Sequence, residues 1–172
     1  MVKEGGIMEL TLNIFLWGYL VAYCIHIVEE YSSGQGFVTM MKKRFWPEYT
    51  PKMFFGFNSM LLIFLALGLV LFDTFGGLWV IWSLSFAFMF VTNGLWHLIQ
   101  TIVLKDYSPG LATSPIYWVL LYFVTRYFFI PGEIETSVFI ISILIGTIIT
   151  ILMFSSGYYQ RLKSIKKGSL TK

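Results

Sequence analysis

Charge and cysteine are what this chain lacks. Only 12% of its 172 residues are Asp, Glu, Lys or Arg, against 57% hydrophobic and 19% aromatic, and a mean hydropathy of +0.75 leaves too little polar material to cover a soluble domain. That balance belongs to an integral membrane protein. At roughly 20 apolar residues per helical crossing, the length holds four to six spans and no soluble catalytic domain. The lone cysteine, Cys24, excludes an intramolecular disulfide and closes zinc-finger and thiol-redox readings. The net charge of +3 is small, and the basic residues flank apolar runs rather than forming a patch, so nucleic acid is excluded as a partner and the charge reads as topology. No internal repeat or pair of interrupted apolar segments is present, which weighs against an alternating-access transporter.

What the chain does have is apolar runs. Spans are expected at about 10–30, 53–72, 78–104, 113–130 and 136–154, giving a single membrane domain: an all-α bundle of five transmembrane helices. The first run follows Lys3, Glu4 and Glu9 with no small-residue cleavage pattern behind it, and is expected to be a retained span rather than a removed signal peptide. The connector, 31–52, breaks at Ser32, Ser33, Gly34 and Gly36, and its Phe37–Trp46 stretch mixes apolar residues with Lys42, Lys43 and Arg44. It is expected to carry a short amphipathic piece on the membrane surface. Asp73 and Gly76-Gly77 end the second span. Pro109 and Gly110 suit the central positions of a type II turn that sends the fourth span back antiparallel. Pro131-Gly132 turns into the fifth, and the tail, 155–172, is basic, with Arg161–Lys172 expected to fray. Ten of the 12 basic residues, namely Lys42, Lys43, Arg44, Lys52, Lys105, Arg161, Lys163, Lys166, Lys167 and Lys172, fall on one side, against Lys3 and Arg126. The positive-inside rule then puts the C-terminus in the cytoplasm and, with five spans, the N-terminus outside, in the cell membrane.

Two histidines, His26 and His97, are all the chain contains, and both lie inside apolar runs. Residues three and four apart share a helix face, so His26 projects with Glu29 and Glu30, and His97 with Asn93. Spans 1 and 3 are separated by one antiparallel helix and hence run parallel, which brings both groups to the same side of the bilayer. At 1.5 Å per residue, His97 lies roughly 12 Å inside the boundary marked by Lys105 and His26 roughly 8 Å inside a helix end near Tyr31. Two imidazoles and two carboxylates make a mixed nitrogen and oxygen donor set, suited to zinc, iron or manganese. His26, Glu29, Glu30 and His97 are therefore candidate ligands of a divalent transition metal. A glutamate left uncoordinated is a candidate general base, and Asn93 or Gln100 a candidate orienting group. Cys24 points away from that face.

A purely structural role accounts for the same pattern: polar side chains hold membrane helices together at about 0.6 kcal/mol per contact. Against it stands the roughly 2.5 to 3.5 kcal/mol that a charge costs at mid-helix depth. Asn58 reads as helix glue, Arg126 as a residue snorkelling outward, and Trp96 as a wall for an apolar pocket beside His97. The turn from Tyr107 to Thr113 is explained by geometry but lies at the mouth of the proposed site.

His26-Ile27-Val28-Glu29-Glu30, then Asn93-Gly94-Leu95-Trp96-His97, then Tyr107-Ser108-Pro109-Gly110-Leu111-Ala112-Thr113 occur in that order. In these strings, and over about Leu12 to Phe129, the chain resembles the HXXEE family of small membrane proteins, and the resemblance implies a metal-dependent enzymatic role. More loosely, His26 to Glu30 and Asn93 to Trp96 are similar to elements of the emopamil-binding family of five-span sterol isomerases, which use His and Glu without metal to move protons on a lipid. That likeness implies a rival mechanism in which a carboxylic acid kept neutral by burial protonates a double bond while another group removes a proton. The expected function is a metal-dependent enzyme on a lipid-like or other hydrophobic substrate, with His26, Glu29, Glu30, Asn93 and His97 as its catalytic residues. The alternatives are the metal-free isomerase and a non-enzymatic membrane protein that binds lipid or carries metal. Self-association fits so aromatic a surface.

Overall fold

A computed structural model describes residues 4–32 and 36–169; Lys3, Ser33, Gly34 and Lys172 lie outside these. Among the described residues there are helices and no strand. They are α1 (Glu4–Ser32), α2 (Gly36–Arg44), α3 (Pro51–Phe75), α4 (Val80–Leu104), α5 (Ser114–Val124) and α6 (Thr136–Ser169). A 3-10 turn, Gly77–Trp79, leads into α4, and a π-helical segment, Thr125–Phe129, extends α5. Four stretches are long and apolar enough to cross a membrane: Thr11–Ser32, Pro51–Phe75, Gly77–Leu104 and Thr136–Lys163. Their outward faces, with Ile63, Leu67 and Val70 on α3 and Leu144, Ile148 and Leu152 on α6, are exposed, a continuous apolar surface that requires lipid.

Local chemistry sets the boundaries. Thr50 caps α3, its hydroxyl accepting from the Met53 N–H at 3.2 Å, and Pro51 takes the first helical position, where no N–H is needed. The helix stops where Gly76 adopts a positive φ and returns its N–H to the Phe72 carbonyl at 2.8 Å. After α4, the Ser108 carbonyl accepts from the Leu111 N–H at 3.1 Å across Pro109 and Gly110, with Gly110 at φ 105, as a type II turn demands.

Helix α4 is the centre of the bundle and packs on α1, α3, α5 and α6. Its course relative to α6 is fixed by three contacts. The hydroxyls of Ser142 and Thr150 donate to the carbonyls of Ile81 and Met89 at 3.4 and 3.5 Å, and the rings of Trp96 and Phe154 stack at 4.8 Å. The two helices therefore run parallel. Gly146 makes that approach close: a Cβ there would stand 2.4 Å from the Ser85 carbonyl oxygen, the small-residue packing typical of membrane helices. The α1–α4–α5 side is sealed by aromatics, with Tyr19, Phe90 and Tyr117 stacked and buried.

Two expectations change. The tail does not fray from Arg161, since α6 continues as one helix to Ser169; no proline interrupts it, and extending a helix costs far less than starting one. The connector is more than a surface piece, because Gly36 and Met40 of α2 are buried.

Candidate metal centre

Both candidate pairs are one helical turn apart, His26 with Glu30 on α1 and Asn93 with His97 on α4, and the parallel course of the helices brings them face to face. Glu30 Oε1 lies 3.5 Å from His26 Nε2 and 3.4 Å from His97 Nε2. One donor atom from each of the three residues falls within 4.8 Å of the others, and His26, Glu30 and His97 are buried at 1%, 5% and 0% exposure. Asn93 Nδ2 sits 3.3 Å from His26 Nε2 and 3.2 Å from His97 Nε2. The imidazoles meet edge to face, with centroids 5.3 Å apart.

The protonation pattern follows from what holds the other nitrogens. Thr113 Oγ1 donates its single proton to Glu29 Oε2 at 2.6 Å, so it accepts from His26 Nδ1–H, 2.7 Å away. Ser108 Oγ lies 2.9 Å from His97 Nδ1 and turns its own proton to the Met40 sulfur at 3.8 Å. With the Nδ1 atoms protonated, the Nε2 atoms aim lone pairs at the centre. The Asn93 amide supplies one N–H for each lone pair. In this form the imidazoles donate nothing to Glu30, and no other donor reaches its carboxylate among the described residues. A buried carboxylate facing two lone pairs, which the Asn93 amide alone meets at 3.3 and 3.2 Å, is costly without positive charge beside it.

The spacing fits a metal. Zinc bonds of about 2.0–2.2 Å to nitrogen or oxygen in a tetrahedron leave neighbouring ligand atoms about 3.3–3.6 Å apart, and the observed 3.4 and 3.5 Å lie in that range. A hydrogen-bonded pair would close to about 2.7–2.9 Å.

Glu29 is turned elsewhere. Its Oε1 accepts from the backbone N–H groups of Gly110 and Ala112, each at 3.0 Å, and its Oε2 from the Thr113 N–H at 2.8 Å. The Tyr107 hydroxyl also donates to Oε1. The Tyr107 phenol is pushed up to about 12, by burial first and then by this bond, so it stays a donor at physiological pH. Glu29 thus ties the α4–α5 loop down over the centre and, through Thr113, sets the tautomer of His26. The motif's two glutamates divide the work, one facing the centre and one holding its cover.

Thr113→Val, which keeps the shape and removes the acceptor, is expected to weaken metal retention about 10–100-fold, the usual effect of losing a partner behind a ligating histidine. Equilibrium dialysis against a metal buffer checks it; unchanged affinity would remove Thr113 from this role.

The cover comes from the α4–α5 loop and from α2. The Gly110 backbone lies on both rings, for a Cβ there would stand 2.7 Å from His26 Cε1 and 2.8 Å from His97 Cε1. Phe37 of α2 approaches His97 at 6.2 Å between centroids, and Arg44 anchors α2 to Asp106 of the loop at 2.7 Å. Asn58 accepts from the Tyr23 hydroxyl at 2.5 Å and donates to the Phe54 carbonyl at 2.9 Å, joining α1 to α3. Gln100 stays outside the cluster, its Oε1 buried without a partner among the described residues. Cys24 is exposed. Trp96 packs on His97 at 5.2 Å and walls a cavity of about 640 Å³, onto which His26, Glu30 and Asn93 open. Burial keeps the hydroxyl of Tyr49, at its rim, well above the usual phenol range.

An apolar helical bundle that buries two histidines and a carboxylate near one end of its long helices is an integral membrane protein with a polar centre. The chain belongs to the HXXEE family: the profile of that family, described as protein of unknown function with HXXEE motif, matches residues 17–125, which include all five residues of the candidate site. No curated protein and no solved structure matches the chain.

Proposed function

We propose that this protein is a metal-dependent membrane enzyme, with zinc, iron or manganese held by His26, Glu30 and His97 and a hydrophobic substrate reaching it from the lipid through the cavity beside Asn93. The convergence of three buried donor atoms at ligand spacing carries this reading. A metal in that place would polarise a substrate oxygen or activate water. Asn93 faces both the centre and the cavity and would orient the substrate's polar group, while Tyr23 and Tyr49 offer hydroxyls at the cavity wall. The Gly110 cover and Phe37 exclude bulk water from above. Glu29, fully engaged by the loop, is not the base.

The same reading includes five crossings of the cell membrane. Because α4 and α6 run parallel, the chain between them must travel back along the bundle, and α5 with its π-helical extension does so. These 11 and five residues are fewer than the roughly 20 of a full apolar crossing, and a thinned or partner-covered boundary there accommodates the difference. The basic residues gathered at the site end favour a cytoplasmic C-terminus, an N-terminus outside and a centre in the cytoplasmic leaflet.

Detergent-purified protein is expected to carry about one transition-metal ion per chain by mass spectrometry. Restoring metal to chelated protein at about 100 times its Kd should add about 2.7 kcal/mol of stability, a rise in Tm of roughly 5–10 °C. Metal-free preparations whose melting ignores added metal would end the reading. A carboxylate between two imidazoles favours one alternative, proton transfer on a lipid without metal; there, activity would survive chelation and be lost in Glu30→Gln. A lipid binder without turnover would retain its ligand in both conditions.

A further inference from the structure

The cavity beside the centre does not end below it. Its far edge is formed by Leu61 of α3, Met89 of α4 and Thr150 of α6. A second cavity, of about 920 Å³, begins at Leu61, Phe86 and Ile149. Leu61 lines both, Phe86 and Met89 are one helical turn apart, and Ile149 precedes Thr150, so the two spaces abut within one cleft between α3 and α6. Along its α4 floor, Asn93 and Trp82 are eleven positions apart, about 16 Å at 1.5 Å per residue. That matches one leaflet of a hydrocarbon core about 30 Å thick.

Polarity along the cleft is one-sided. The first cavity is lined by His26, Glu30, Asn58 and Asn93 together with five hydroxyl-bearing side chains. The only hydroxyl of the second, Ser85, donates to its own helix at the Ile81 carbonyl, 2.7 Å away. Among the described residues no Lys or Arg lines either cavity. The one cation within reach of a head would be the metal of the centre, half neutralised by Glu30, so a doubly charged head such as a phosphate monoester would leave buried negative charge uncompensated, which is strongly disfavoured. An uncharged head capable of hydrogen bonding would satisfy Asn93 and the centre.

We propose that the cleft takes one uncharged, single-chain amphiphile, of the long-chain alcohol, aldehyde or ester class, its head at His26, Glu30 and Asn93 and its chain laid along α4 past Leu61 into the second cavity. The proposal rests on the centre being a substrate site and narrows the substrate from any hydrophobic molecule to a neutral, single-chain one. Leu61 and Phe86 then read chain length at the junction.

The test uses the full chain in nanodiscs and a long-chain alcohol carrying a photoreactive diazirine at its terminal carbon, beside the same chain ending in a phosphate. The alcohol is expected to label Trp79–Phe86 and Ile145–Ile149, to be displaced by unlabelled long-chain alcohol, and to label at least about tenfold more than the phosphate probe. Ile145→Trp, at an exposed position lining the second cavity, should lower retention of the long alcohol about tenfold, roughly the effect of excluding two methylene groups from an apolar site, and leave a short-chain alcohol unaffected. Equal labelling by the phosphate probe, labelling that unlabelled alcohol does not displace, as bulk lipid tails would give, or copy-to-copy crosslinks through Ile145 would each overturn it. Metal content measured on the same samples separates the two readings: metal without alcohol labelling removes the amphiphile, and labelling without metal removes the metal centre.

Discussion

His97→Ala is expected to abolish metal retention, and Glu30→Gln to weaken it at least about 100-fold, more than the loss of an outer partner alone would cause. The two substitutions act differently on the fold. His97 is fully buried among His26, Phe37, Trp96 and the Gly110 backbone. Removing its ring leaves a void, and truncating a buried aromatic costs about 3–5 kcal/mol, so lost metal in that variant has two explanations. Glu30→Gln keeps the shape and removes only the charge facing the two Nε2 atoms. If Glu30 is a ligand, the variant should melt close to the chelated wild type and gain nothing from added metal. If instead Glu30 served only as a partner for protonated imidazoles, metal content would be absent from the wild type too and Glu30→Gln would change stability without changing any metal dependence. Metal analysis and thermal melts with and without chelator, on the wild type and both variants, separate these outcomes.

The part of the centre that lies on helices was legible in the sequence. A spacing of four residues, about one helical turn, put Glu30 beside His26 and Asn93 beside His97, and one intervening antiparallel helix made their two helices parallel; nothing more was needed to bring two histidines and a carboxylate to one end. Glu29 shows where that reasoning stops. At three residues from His26 it shares the same general face, yet its carboxylate is drawn to three backbone N–H groups of the loop, and no helical period announces where a loop's backbone will point. The turn carrying Ser108 and Thr113 was placed at the mouth of the site, but their hydroxyls were given no role for the same cause, since they matter only once the turn at Pro109-Gly110 has folded them over the imidazoles. The connector was underestimated because α2 is basic at its end, with Lys42, Lys43 and Arg44, and that charge hides the buried Met40 and the ring of Phe37. Composition marked the fourth apolar run, but not its change to π-helical pairing, where the Ile130 N–H reaches back to the Thr125 carbonyl at 2.9 Å.

Gly110→Ala is expected to weaken metal retention about 100-fold, whereas Gly132→Ala leaves it untouched. Both glycines hold a positive φ, 105 and 88, so alanine at either site bears a similar backbone strain of about 1–3 kcal/mol. They differ in what the added methyl meets. At Gly132 there is open space within 4 Å, while at Gly110 the Cβ would stand 2.7 Å from His26 Cε1 and 2.8 Å from His97 Cε1 and Nε2. These are rigid ring atoms of buried residues, already held behind by Thr113 and Ser108, so the rings or the loop must give by more than half an ångström. A displacement on the order of 1 Å in a preorganised site costs about 100-fold, and here it moves both nitrogen ligands at once while pulling the loop from Glu29. Comparing the two variants in one melt and one metal titration removes the strain they share. If Gly110→Ala were no weaker in metal retention than Gly132→Ala, the loop would be a passive connection, and the centre would owe its geometry to α1 and α4 alone.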